Sequence, residues 1–173
     1  FDDQALIRWY NSQNNFEGED YFPITEQNEI DNQTIGNDCV DLPADLCIQK
    51  GIYVFNLNLP PITGGYQIAY QRCCRNPSII NIQNPDDWGS TYTVHIPGQD
   101  QVDECNNSPV FNYPPPIGLC VGDELNLNQS ANDPDGDSLV YSLTTPYHGA
   151  NMDDPIFGVS PPPFSLIPWE QDY

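Results

Sequence analysis

The sequence predicts an all-β protein built from antiparallel β-sandwich modules that are stapled by disulfides. Apolar and polar residues alternate in three windows, at residues 51–60, 65–74 and 90–97, with the period of a half-buried strand. The 18 prolines and 12 glycines are spread along the chain and leave few windows of ten residues that could hold a helix. Six cysteines accompany a single methionine, which favours an oxidising compartment and structural disulfides.

The strands of the first module follow from this alternation. The windows "GIYVFNLNLP" (51–60) and "GYQIAYQRCC" (65–74) each place apolar side chains on one face. Between them "PPITGG" supplies turn residues, so we expect the two windows to pair as antiparallel neighbours. "STYTVHIP" (90–97) repeats the alternation, and a further strand is expected over Ala5–Tyr10.

Two segments predict how the chain divides. Residues 11–38 hold seven acids and no base, which is typical of a long acidic loop with room for one short strand. The composition changes after Cys105, so we expect one β-sandwich module over residues 1–104 and an immunoglobulin- or cadherin-like module over residues 105–173. Because a complete immunoglobulin-like sandwich needs about 100 residues and seven strands, this second module is expected to be incomplete or to be completed from outside the chain.

The second module shows strand signals and a loop-like tail. Strands are expected at Pro109–Phe111, Glu124–Asn128 and Ser138–Leu143, with an acidic turn between the last two. The tail from His148 to Tyr173 is rich in proline and is expected to form loops.

The charge balance excludes several classes of partner. Four basic residues oppose 25 acidic ones, giving a formal charge of −21. Such a field repels phosphate backbones and anionic lipid headgroups, so neither nucleic-acid binding nor docking to a membrane surface is expected. No apolar run approaches the ~18 residues that a transmembrane helix requires, so membrane insertion is not expected either. The same negative potential favours the binding of divalent cations, although an acidic surface that is simply solvated explains the excess of acidic residues equally well.

The cysteines are predicted to form structural disulfides, with 15 pairings open. They are Cys39, Cys47, Cys73, Cys74, Cys105 and Cys120. A local Cys39–Cys47 closure is one expectation. Zinc is not expected, because the chain has no CxxC pair and only two histidines.

The adjacent pair in "QRCCRN" (71–76) has two interpretations. Successive side chains of a strand point to opposite faces, so we expect Cys73 and Cys74 to reach two different partners. The alternative is a vicinal or reactive pair, since Arg72 and Arg75 would lower a thiol pKa.

Several blocks of the chain resemble a known group of proteins. The blocks "GIYVFNLNLPPITGGYQIAYQRCCRN", "TYTVHIP", "CNNSPVF", "LCVG" and "DPDGDSLVYSL" occur in this order across residues 39–147. They resemble the N-terminal region of large secreted surface proteins of Bacteroidota that often end in a gliding-motility-associated C-terminal sorting domain. The resemblance implies export by type IX secretion, a cell-surface or extracellular location, and β-sandwich repeats of the PKD or cadherin kind. It implies no catalytic activity, and this chain does not contain the sorting domain.

An acidic turn is the candidate metal site. Asp133, Asp135 and Asp137 alternate around a glycine, and with Asn132 they could offer oxygen ligands to Ca²⁺, which takes 6–8 of them. The spacing does not fit an EF-hand, since Ser138 stands where that loop has its glycine. The alternative is a polar turn in which the aspartates cap backbone amides.

Loop aromatics and modification signals give weaker candidates. Trp88 and Tyr147 could stack on sugar rings, or each could cover the end of a sandwich core. N-glycosylation patterns begin at three asparagines, and "DSL" resembles a short O-glycosylation motif of Bacteroidota; the acceptors would be Asn32, Asn106, Asn128 and Ser138.

No constellation in the sequence predicts catalysis. His95 alternates with apolar residues on a strand, His148 lies in a polar loop, and neither neighbours a nucleophile. We therefore expect a non-enzymatic extracellular module of a surface adhesin or filament, which binds other copies of itself or neighbouring modules by strand complementation. A carbohydrate-binding module on the cell surface is the alternative.

Overall fold

The computed structural model describes residues 3–30, 48–102, 105–113, 122, 124, 126–153 and 161–170. These residues form eight strands: β1 (Gln4–Asn11), β2 (Phe16–Pro23), β3 (Glu26–Glu29), β4 (Gln49–Ile52), β5 (Tyr66–Arg72), β6 (Ser90–Ile96), β7 (Val110–Phe111) and β8 (Ala131–Asn132). A 3₁₀ helix covers Pro85–Asp87. All strand pairs are antiparallel, which confirms the predicted all-β class. In the part of the chain that is described, no helix has the length and apolarity needed to cross a membrane.

The chain packs as two compact units that interleave along the sequence. Unit 1 takes residues 24–53 and 105–141, and unit 2 takes residues 2–23, 54–104 and 142–173. These bounds differ from the predicted division at residue 105, because each unit draws segments from both sides of it. From the tail, Phe164 packs against the sheet of unit 2 in a cluster with Tyr10 and Ala69.

Unit 2 is organised around a four-stranded sheet in the order β2-β1-β5-β6. Cross-strand partners share a face, and the register aligns Trp9 with Ile68 and Ile68 with Val94. We call this side the Ile68 face and the opposite side the Ala69 face. On the Ala69 face, Tyr10, Ala69 and Phe164 form a buried cluster in which the rings of Tyr10 and Phe164 meet edge to face, 6.3 Å apart.

The Ile68 face is covered in part by the extended residues 53–60. The ring of Phe55 stacks on Phe22 with centroids 3.9 Å apart, and the Tyr66 hydroxyl donates to the Pro60 carbonyl at 2.6 Å. Burial alternates through this segment as the sequence predicts. Of the predicted strand window 51–60, however, only Gly51 and Ile52 belong to a strand, β4.

The predicted hairpin between 51–60 and 65–74 is wrong. β5 pairs with β1 and β6 instead, and the segment before it lies over the sheet. Alternation reports that one side of a segment is buried; it does not say whether a strand or a sheet face buries it. The turn residues are correctly identified, since Gly64 and Gly65 both have positive φ, at 76° and 68°.

The predicted strands of the first module otherwise form. β1, β5 and β6 confirm the expectations for Ala5–Tyr10, 65–74 and 90–97. The acidic stretch 11–38, predicted as a long loop, contains β2 and β3. Ladder partners in β1 and β4 impose strand structure on residues whose own propensity is low.

Unit 1 contains two short two-stranded sheets. β3 pairs with β4 along four residues of each strand, and β7 pairs with β8 along two residues of each strand. The strand expected at Pro109–Phe111 is present as β7, whereas residues 126–128 and 138–143 lie outside the strands. Their apolar side chains are partly open to solvent, and Val140 is 94% exposed. An alternating pattern without a packing partner does not by itself form a ladder.

Candidate functional site

The sheet of unit 2 ends at β6 in an apolar edge. Tyr92, Val94 and Ile96 are aligned with Tyr70, Ile68 and Tyr66, so all of them lie on the Ile68 face. The three β6 side chains are 63%, 43% and 40% exposed, whereas Tyr66 and Ile68 are buried. The cover of residues 53–60 therefore does not extend over β6.

Part of the outer backbone of β6 has no partner among the residues that the structure describes. The Thr91 N–H donates to the Tyr147 carbonyl at 3.3 Å, so it points away from β5. In an antiparallel strand every second residue directs its N–H and C=O to the same side. Thr93 and His95 therefore direct theirs outward, and among the described residues no backbone partner meets them.

The opposite edge, β2, is charged. Its eight residues include Glu17, Glu19 and Asp20, all exposed. The Arg8 Nε donates to Glu19 Oε2 at 2.6 Å, and the Asn11 Nδ2 donates to Glu17 Oε1 at 2.6 Å. By contrast, residues 88–99, which include β6, contain no Asp, Glu, Lys or Arg.

A second cluster lies where "QRCCRN" meets two loops of unit 2. The Arg75 N–H donates to the Trp88 carbonyl at 3.1 Å, and its Nη2 donates to the Tyr147 carbonyl at 3.1 Å. The Trp88 ring meets the His148 ring edge-on, 4.8 Å between centroids. We call Arg75, Trp88, Tyr147 and His148 the Arg75 cluster; it brings together both aromatic residues that the sequence singled out.

Close backbone approach positions the Arg75 cluster beside the start of β6. The Gln71 Nε2 donates to Thr91 Oγ1 at 2.8 Å, and that hydroxyl donates to the His148 carbonyl at 2.8 Å. A Cβ on Gly89 would overlap the carbonyl oxygen of Gly149, so only glycine lets these two segments touch. Neither Thr91 nor Gln71 was a sequence candidate; alternation predicted only that they lie on a strand.

The Arg75 cluster carries three buried nitrogen atoms without a hydrogen-bond partner in the described structure. They are Arg75 Nε, Trp88 Nε1 and His148 Nδ1. Burial, and then the nearby charge of Arg75, lower the pKa of His148 below its usual value. The imidazole is therefore neutral at neutral pH and can act as an acceptor as well as a donor.

The aromatic candidates are partly buried by this packing. Trp88 is half-buried against His148. Tyr147 is 37% exposed and its ring lies 5.7 Å from that of Phe164, at the rim of the buried cluster on the Ala69 face. The Tyr147 ring thus contacts the core cluster and the Trp88 ring contacts His148. Carbohydrate binding and the covering of a core end both stay predictions.

The prediction that Cys73 and Cys74 reach different partners is wrong. The two residues form a disulfide with each other, just beyond the end of β5 at Arg72. The strand rule of opposite faces does not apply there, because the pair lies outside the ladder. Cys105 is exposed and has no disulfide partner among the described residues, so its expected disulfide stays a prediction. Cys39, Cys47 and Cys120 lie outside the described residues.

The acidic turn of unit 1 is held by its own hydrogen bonds. Asp133 Oδ1 accepts from the N–H groups of Asp135 and Asp137 at 2.9 and 3.2 Å. The Asp135 carboxylate accepts from the backbone and side chain of Asn107, which lowers its pKa. Asn106 Nδ2 donates to Asp137 Oδ2 at 2.9 Å.

These contacts do not form a metal cage. Among the described residues no group of three or more His, Cys, Asp or Glu side chains is arranged to hold an ion. Asn132 belongs to β8 and pairs with Val110, beside the turn. In this arrangement the carboxylates accept hydrogen bonds, and Ca²⁺ binding stays a prediction.

The modification candidates are surface residues wherever they are described. Asn106, Asn128 and Ser138 are exposed. Asn106 donates its amide to Asp137, and Asn128 Oδ1 accepts from the Ser130 N–H at 3.0 Å. Asn32 lies outside the described residues. Glycosylation of these positions stays a prediction.

Comparison with known proteins finds few similarities. No protein-family model matches the chain, and no solved structure matches it. Integrin beta-like protein A of Dictyostelium discoideum is 35% identical to it over 83 residues. The match covers 47% of this chain and 4% of that protein, so the chain spans a very small part of the curated relative.

Proposed function

We propose that this chain is a non-enzymatic structural or adhesive module of a large secreted surface protein or extracellular filament, and that it acts by strand pairing with other copies or neighbouring modules. The observation that carries the proposal is the β6 edge. It is uncharged, its outer backbone groups are unpaired among the described residues, and its apolar side chains are exposed. An open edge of this kind is a template for adding a strand.

Exposed apolar side chains on unit 1 support the same function. Val110, Phe111, Tyr113 and Val140 are all more than half exposed. Isolated two-residue ladders are marginal in water, and a neighbouring module that covered these side chains would stabilise them. The partial similarity to an integrin beta-like protein agrees with an adhesive role.

The proposed location is extracellular or on the cell surface, after export by the type IX route. The test is to expose intact cells of the source organism to a non-permeant protease and follow this chain with an antibody. We expect its loss while a cytoplasmic marker survives. Survival of the chain in intact cells, with digestion only after lysis, would exclude the extracellular function.

Carbohydrate binding is the second candidate. Its support is the convergence of Trp88 and Tyr147 in the Arg75 cluster, with the Tyr147 ring partly open to solvent. A glycan array probed with the chain and with Tyr147→Ala tests it. Binding that disappears in the variant supports this function, and an array without hits removes it.

Calcium binding at Asp133, Asp135 and Asp137 remains a separate proposal. Calorimetric titration of the chain with CaCl₂ tests it, with Asp135→Asn as the control. Heat release that is lost in the variant supports it. Equal titrations would leave the turn with its capping role alone.

A further inference from the structure

We propose that β6 pairs with β6 of a second copy of this chain, antiparallel about a twofold axis at Val94, so that two four-stranded sheets join into one. The inferred pairing rests on the proposed function in assembly. The choice of a second copy as the partner rests on the geometry of β6. The occupant of the open edge is thus a second copy of the chain.

The register follows from the direction of the backbone groups. Thr93 and His95 direct their N–H and C=O groups away from β5. With the axis at Val94, Thr93 of each copy lies opposite His95 of the other. Such a pair exchanges two N–H···O bonds in an antiparallel ladder, so the two pairs satisfy every outward group of this stretch.

The same register matches the apolar side chains. Tyr92 of one copy lies opposite Ile96 of the other, and the two Val94 side chains meet at the axis. All of them lie on the Ile68 face, beyond the cover of residues 53–60. The Tyr92 ring is oriented by stacking on Tyr70, with centroids 6.3 Å apart and planes 23° from parallel.

Charge favours this edge of the sheet over β2. Two chains of charge −21 repel one another, and residues 88–99, which include β6, carry no charge. β2 is excluded as the partner edge in this pairing, since a strand added there would face Glu17, Glu19 and Asp20. Salt should strengthen the association, because the Debye length falls from about 10 Å at 0.1 M to about 3 Å at 1 M.

The structure limits the pairing to Tyr92–Ile96. Thr91 is already bonded to Tyr147 at one end, and Pro97 has no N–H to donate at the other. A contact of five residues a side belongs to the weak class of interfaces, which bury less than about 1,200 Å². We therefore expect a reversible dimer that becomes populated only at high protein concentration.

Sedimentation equilibrium of the chain tests the proposal. The apparent mass should rise from monomer towards dimer as the protein concentration is raised, and rise further at 1 M NaCl. Val94→Lys should weaken the association at least about tenfold, because two ammonium groups would meet at the axis. Val140→Lys is the matched control, an exposed valine of unit 1 that should leave the dimer unchanged.

A crosslinking experiment identifies the contact even if Val94→Lys fails to fold. With p-benzoylphenylalanine in place of Tyr92, irradiation should join two copies, and peptide mapping should find the adduct around Ile96. An adduct at residues 110–113 or 138–141 would overturn the β6 pairing while leaving self-assembly in place. A chain that stays monomeric in high salt, without adducts, would overturn this inference; the extracellular function is then decided by the protease test alone.

Discussion

The two edges of the unit 2 sheet are built in opposite ways. β2 carries three carboxylates in eight residues and ends at Pro23, whereas β6 carries no charge and exposes three apolar side chains on one face. Charges and proline on an edge prevent a second strand from pairing with it. The difference indicates that one edge is protected against association and that the other is left available for it.

The largest expected effect is a loss of stability on truncating Tyr10. This residue belongs to the buried cluster under the sheet that carries both edges. This ring is fully buried between Phe16 and Phe164. Tyr10→Ala should reduce the free energy of unfolding by about 3–5 kcal/mol, the range for large aromatic truncations in a core. Urea denaturation followed by circular dichroism measures it. Tyr113→Ala, at an exposed tyrosine of unit 1, should change stability by less than about 0.5 kcal/mol; equal effects would contradict the assigned core.

The next largest effect is expected on dimerisation, when the β6 edge is given a carboxylate like those of β2. Thr93→Glu adds a carboxylate to an exposed edge position that the pairing would place close to the second copy. We expect the dimer to be lost and the monomer to keep its urea midpoint. Thr93→Gln, in which the new side chain has the shape of glutamate but no charge, should still dimerise. If both variants dimerise equally in sedimentation, charge does not control this edge.

The converse change removes charge from β2. Glu17→Gln with Asp20→Asn keeps the hydrogen-bonding groups but removes two of the three carboxylates. We expect a modest increase in species larger than a dimer, because the second edge becomes less repulsive. Light scattering at high protein concentration detects it. Asp86→Asn with Asp87→Asn, in the 3₁₀ helix, makes the same change in net charge away from the edge and should have no such effect.

The smallest expected effect is on the pH dependence of stability. It concerns His148, which follows Tyr147, the residue whose carbonyl accepts the Thr91 N–H at the start of β6. The pKa of His148 is lowered in the folded chain, so the unfolded state binds its proton more readily. The stability that this residue contributes is therefore present above its ordinary pKa of about 6.5 and is lost as the pH falls through the lower folded value. The urea midpoint of the chain should exceed that of His148→Gln most above this window, and the two midpoints should converge as the pH falls through it. A constant difference between them would show that protonation is not involved.

The sequence predicts the parts of this fold that local patterns determine. The all-β class and the strands β5 and β6 follow from alternation, and the turn at Gly64 and Gly65 follows from its residues. A strand was also expected at the position of β1, without an alternating pattern. The layer formed by residues 53–60 does not follow, because a segment lying on a sheet and a strand within a sheet bury one side with the same period. β2 could not be predicted either, since its carboxylates suit an edge only once β1 is known to be its neighbour.

The candidate site divides in the same way. Trp88 and Tyr147 are recognisable as unusual loop residues, but their convergence at Arg75 depends on a contact between segments about 70 residues apart, Arg75 with Tyr147. The pairing of Cys73 with Cys74 was misjudged because the strand was expected to continue through both. The uncharged run 88–99 does not identify the β6 edge by itself, because longer uncharged runs such as 51–71 occur in the chain; the edge is recognisable only from the position of β6 at the end of the sheet.

The carboxylates of β2 also set the valency of assembly. A copy joined through β6 presents β2 at both outer ends of the combined sheet, so growth stops at two and a cross-β fibre cannot propagate. A filament made from such pairs needs a second, independent contact on each copy, for which the exposed apolar side chains of unit 1 are available. Dimer and filament would then respond separately to concentration, and in the proposed extracellular setting the chain could persist as short units until the second contact is engaged.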